Sequence, residues 1–120
     1  MITNNTDNIL SVLENYLHDN ADTISTQIAS DFRQRRVEKG LTREQVAEQA
    51  GVAVSNVARF EQKGLISLKN LIMLAMALGY TAEIKSVFAT PKYSTMEELT
   101  QIRHNSGKTK AYKKKERKTE

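Results

Sequence analysis

Between Leu41 and Gly64 the chain reads LTREQVAEQAGVAVSNVARFEQKG, and the side chains near its end are suited to recognition by contact rather than to making bonds. Arg59 offers a planar fork of N–H donors, Ser55 a hydroxyl, Asn56 an amide and Val54 a bare methyl surface, while Arg43 and Arg35 add permanent positive charge. Such a set fits a partner that carries hydrogen-bond acceptors, methyl groups and anionic oxygens close together. It does not fit catalysis. The chain has no cysteine, no glycine-rich phosphate loop and only two histidines, His18 and His104, which are far apart and lack a carboxylate at catalytic spacing. No catalytic residue, metal ligand or cofactor is expected.

Two helices must position these groups. Thr42 caps the first, with Gln45 at the capping-box position and Val46, Ala47 and Ala50 on its apolar side. Gly51 ends it, because glycine takes a left-handed backbone at no steric cost and lets the chain turn sharply into Val52. The second helix is expected from about Val54 to Gln62. Val57 and Phe60 face inward, which leaves Ala53, Val54, Ser55, Asn56 and Arg59 on the outer side and N-terminal end. In a helix-turn-helix that end enters a DNA major groove.

Small Ala47, Gly51 four residues on, then apolar Val52, and Val57 six beyond the glycine, within a basic helical protein, resemble the Cro/repressor (XRE-type) helix-turn-helix family. The resemblance covers about Ile28 to Leu78. It implies an all-α, lambda-repressor-like DNA-binding domain, in which Ser55 and Arg59 read base edges and Val54 meets a thymine methyl. Asn56, Arg43 and Arg35 would hold the backbone. It further implies that Arg36 and Glu61 form a buried structural ion pair. Two positions depart from the family pattern: Ala53 replaces the usual capping serine or threonine, and Glu61-Gln62-Lys63-Gly64 is one residue longer than the usual ending.

Charge is distributed in a way that suits this implication. The net charge is +4, yet residues 105–120 carry seven basic against two acidic side chains and residues 31–64 seven against five, while residues 1–30 carry four acidic and no basic ones. Positive charge sits on the helix-turn-helix and the tail, so the acidic N-terminus should face away from phosphates. The longest apolar run, Leu71 to Leu78, is far short of the roughly 20 residues a membrane span needs. Nothing at the N-terminus resembles a signal peptide, and a cytoplasmic location is expected.

Elsewhere the pattern is helical. Thr6 can cap a helix to about His18, with Ile9, Leu10, Leu13, Tyr16 and Leu17 in one stripe that serves either an extra core helix or a dimer or partner surface. A long helix from about Asp22 to Lys39 is expected to turn Ile24, Ile28, Phe32 and Val37 inward and to leave Arg33, Arg35 and Lys39 outside. Ser67 caps Leu68 to Leu78, whose Leu71, Leu74, Ala75 and Leu78 close the core, with Met73 and Met76 off that stripe. Residues 80–89 suit a strand or a helix; helix is taken, with Thr81 as cap. After Pro91, Ser94 and Glu97 form a capping box for a short helix to about Arg103 carrying Met96, Leu99 and Ile102. The stretch PKYSTMEEL resembles an extension of XRE-type regulators encoded beside HipA-like kinases; were residues 80–89 a strand instead, two chains could pair there at a dimer interface, and this segment partly resembles the HipB-like antitoxins.

The sequence thus divides into an N-terminal helical extension (1–22), a helix-turn-helix domain (23–79), a helical C-terminal extension (80–104) and a disordered basic tail (105–120). The expected function is sequence-specific regulation of its own operon as a dimeric repressor bound to a double-stranded operator. The alternative is an antitoxin whose main partner is a HipA-like kinase toxin.

Overall fold

A computed structural model describes residues 9–13 and 18–111. The helices are α1 (Ala21–Glu38), α2 (Arg43–Ala50), α3 (Val54–Lys63), α4 (Leu68–Ala77), α5 (Thr81–Lys85) and α6 (Met96–Asn105). Residues 9–13 are also helical, and no strand occurs among the described residues. The Thr6 cap, Tyr16, Leu17 and the tail from Tyr112 onward lie outside them; Ile9, Leu10 and Leu13 lie within and are exposed. No helix among the described residues is long and apolar enough to cross a membrane.

Local chemistry starts each helix. Asn20 and Thr23 cap α1 reciprocally, and Thr42 and Gln45 do the same for α2, where Gln45 N–H donates to Thr42 Oγ1 at 3.1 Å and Thr42 N–H to Gln45 Oε1 at 2.8 Å. Ser67 caps α4. Packing then joins them: α1 lies on α3, and α2 on both α3 and α4. Val46, Val57, Phe60 and Leu74 are wholly enclosed at the centre. The Phe32 and Phe60 rings meet with centroids 5.4 Å apart, tilted by 49°.

The inward stripe of α1 differs from the hydropathic one. Ala29, Phe32 and Arg36 are buried, whereas Ile24, Ile28 and Val37 are exposed. The reason is close approach. Gly64, at φ +67°, ends α3 so near to α1 that an added Cβ would lie 3.1 Å from Ser25 Oγ and 3.2 Å from its carbonyl carbon. Small Ser25 and Ala29 admit that contact, and Phe32 and Arg36 follow on the same face. Lys39 is exposed, as expected, and from there its Nζ donates to the Leu78 carbonyl at 2.8 Å, closing the end of α4.

The chain separates into two compact units, Met1–Ile84 and Lys85–Glu120. Near their boundary α5 stops at Lys85, and Thr81 is its first helical residue rather than its cap. Val87 and Phe88 are exposed, so the apolar pattern that suggested a longer element has no core to bury it there. In the second unit the capping register shifts by one. Thr95 is the N-cap of α6 and accepts from Glu98 N–H at 3.1 Å, while the Glu98 carboxylate accepts from Ser94 N–H and Oγ, each at 3.1 Å. Adjacent Ser94 and Thr95 are equivalent cap chemistries, and the geometry selects the second.

Candidate nucleic-acid interface

The turn that presents α3 is built from backbone. Gly51 sits at φ +72°, where its N–H donates to the Glu48 carbonyl and the next N–H, of Val52, reaches back to the Ala47 carbonyl at 3.0 Å. Val52 is buried beneath the turn. Extended Ala53 then starts α3 with no side-chain cap; its carbonyl accepts from Asn56 N–H at 3.0 Å and Val57 N–H at 3.3 Å.

One face of α3 is pinned and the other is open. Val57 and Phe60 are fully buried, while Val54, Ser55 and Arg59 are exposed and Asn56 is half-buried. Asn56 and Arg59, with Leu65, Ile66, Ser67 and Asn70, line a shallow notch between α3 and the start of α4. The last four were not among the sequence-derived site residues. The only signal for them was Ser67, whose capping role put the start of α4 immediately after α3.

At its other end α3 is tied into the core by charge. Arg36 Nε and Nη2 donate to the two oxygens of Glu61 at 2.7 and 2.8 Å, and Arg36 Nη1 donates to the Leu41 carbonyl at 2.8 Å. Arg43 Nε adds a third donor to Glu61 at 3.2 Å. Burial pushes the Glu61 carboxyl up, but the hydrogen bonds and charges of Arg36 and Arg43 outweigh it and hold the group below its ordinary value. The hydrogen bond to Glu61, opposed by burial, raises Arg36 above its own. No buried side-chain polar atom among the described residues lacks a partner. Arg43 was assigned from sequence to the DNA backbone alone, and its contact with Glu61 was missed. Arg35 is half-buried and pairs with Glu38 at 3.2 Å on the surface of α1.

A rigid helix thus offers methyl, hydroxyl, amide and guanidinium groups from one open face, beside further cationic side chains on α1 and α2. Among the described residues no cluster of histidine and carboxylate could hold a metal ion. Residues 32–84 match the family model described as helix-turn-helix. The chain carries a Cro/repressor, XRE-type, helix-turn-helix domain. The match closes at Ile84, the last residue of the first compact unit. No curated protein matches the sequence at a significant level. The match over these residues supports a DNA-binding regulator.

Proposed function

We propose that this XRE-type regulator is a cytoplasmic, sequence-specific repressor that binds double-stranded DNA as a homodimer and controls its own operon. The observation that carries the reading is the division of α3: buried Val57 and Phe60 fix the helix, and exposed Val54, Ser55 and Arg59 are left to meet a groove. Arg59 donates bidentately to guanine, Ser55 meets a neighbouring base edge and Val54 a thymine methyl. Asn56, Arg43 and Arg35 hold phosphates on either side. A lone reading helix covers few base pairs, so a two-fold pair with half-sites about 34 Å apart supplies the rest of the site.

Footprinting upstream of the chain's own gene tests this. The expected result is a protected inverted repeat. Arg59→Ala should cost about 1–3 kcal/mol and relax preference at one position per half-site. Equal losses on specific and random duplexes for Arg59→Ala would remove it from the base-reading set.

A second reading is favoured by apolar side chains outside the helix-turn-helix. Ile9, Leu10, Val12, Val87, Phe88 and Met96 are all more than half exposed. The first three belong to one compact unit and the last three to the other, and exposed apolar groups on either suit an antitoxin that also binds a HipA-like kinase; the two roles are compatible in one chain. Co-purification with the product of a neighbouring kinase-like gene tests it; an Ile9→Ala variant and, separately, a Phe88→Ala, Met96→Ala variant that still captured the kinase would remove those side chains from kinase binding.

A further inference from the structure

Glu61 is one buried carboxylate that holds two guanidinium groups, and it holds them differently. Arg36 is used up: Nε and Nη2 go to Glu61 and Nη1 goes to the Leu41 carbonyl. Arg43 is tied through Nε alone, and its terminal nitrogens hydrogen-bond no described residue. The Glu61 side chain is 1% exposed and that of Arg43 32%, so the joint is buried and the free end of the fork reaches solvent. A surface arginine gives up rotamer freedom when it grips an anion, and one already fixed at Nε has less left to lose.

Taking Arg43 as a backbone contact, as the proposed function does, we infer that Glu61 is a positioning residue for DNA binding: it fixes the Arg43 guanidinium by its Nε–H so that the two terminal N–H groups meet one phosphate. Arginine bound at Nε keeps a complete edge for bidentate donation, which is the geometry that gives arginine–phosphate pairs their directionality. The carboxylate belongs to α3 and the guanidinium to the first residue of α2. One side chain thereby sets the reading helix and the backbone grip in a fixed relation.

The test reads nitrogens one at a time. NMR of isotope-labelled arginine side chains in the full chain, assigned with Arg43→Lys, follows the Arg43 Nε proton and the Nη groups separately while a random-sequence duplex is added. The Nε proton should exchange slowly with water before and after addition, and the Nη signals should shift. An Nε proton that begins to exchange fast on binding would mean that Arg43 leaves Glu61 to reach DNA, and the inference would fail; Nη signals that never move would also overturn it.

Affinity provides a second arm. Arg43→Ala should flatten the slope of log K against log salt by about 0.9, the loss of one phosphate contact. Glu61→Gln should weaken random-duplex binding in the unaltered background and not in the Arg43→Ala background, and equal losses in both would sink the inference. Should Glu61→Gln not fold, the NMR result on the unaltered chain decides alone. If Arg43→Ala leaves the slope unchanged while Arg59→Ala still relaxes sequence preference, the inference falls and the DNA-reading function stands. If the unaltered chain binds no duplex, both fall together.

Discussion

Phe60 and Phe88 carry the same ring, and the unit ending at Ile84 buries the first to 2% exposure while the unit beginning at Lys85 leaves the second at 96%. The helices around them repeat the contrast. α3 and α6 are each ten residues long. α3 has no side-chain cap but buries Val57 and Phe60, whereas α6 is capped by Thr95, is braced by Glu98 against Ser94, and buries nothing. A cap is worth about 1 kcal/mol and each large buried apolar side chain about 1.5–3 kcal/mol. Burial therefore wins, since a helix shorter than about 12 residues is marginal on its own however well it starts.

The largest effect should separate the two rings. Phe60→Ala is expected to destabilise the helix-turn-helix by about 3–5 kcal/mol in denaturant unfolding, and Phe88→Ala to change it by less than about 0.5 kcal/mol. Comparable losses would mean that Phe88 is covered in solution. Next comes the ion pair. Arg36→Met leaves the Glu61 charge to Arg43 alone and should cost about 3 kcal/mol, toward the low end for a broken buried pair because one partner remains.

Acid sharpens the same point. The Glu61 carboxyl lies below its ordinary value in the folded chain, so its stabilisation is complete above the unfolded value, about 4.3, and is lost as pH falls through the lower folded one. Unfolding free energy of the unaltered chain should therefore drop in that window more steeply than that of Glu61→Gln, and identical pH profiles would contradict the assignment.

Smaller effects concern the caps. Ala53→Ser should supply the cap that α3 lacks and raise stability by about 1 kcal/mol; an unchanged or lower value would show that Ala53 is not the true cap position. Thr95→Ala should leave the cooperative unfolding of the first unit unmoved and speed amide exchange only in α6, where protection is already expected to be low. Shared loss of protection in α3 and α6 would break the comparison with which these experiments begin.

What could be read in the sequence was local. Thr42 with Gln45, Gly51 and Ser67 act through neighbours in the chain, so the three helices they delimit were legible, with ends within about a residue. The face of α1 was not, because a charged residue, Arg36, occupies the buried stripe and draws its partner from 25 residues away. Hydropathy assigns such a position to solvent. Only the family resemblance pointed to that pair, and nothing pointed to the contact between Arg43 and Glu61, which joins residues 18 apart on different helices. Residues 80–89 were legible as helix rather than strand, but the helix ends at Lys85 because the apolar pattern beyond it has no core to satisfy it.

Gly64 has a genetic consequence. Two of the three atoms that a Cβ there would crowd belong to the Ser25 backbone, and the φ of +67° disfavours any replacement. A screen that scores only loss of operator binding should return Gly64 substitutions beside those of Arg59, although Gly64 has no side chain to bind anything with. The two kinds of hit part company on reversion. With Arg59 reading a base as proposed, its defects should yield to a changed operator, whereas no trimming of the Ser25 side chain relieves a backbone collision, so Gly64 alleles should lack both operator suppressors and second-site revertants at residue 25.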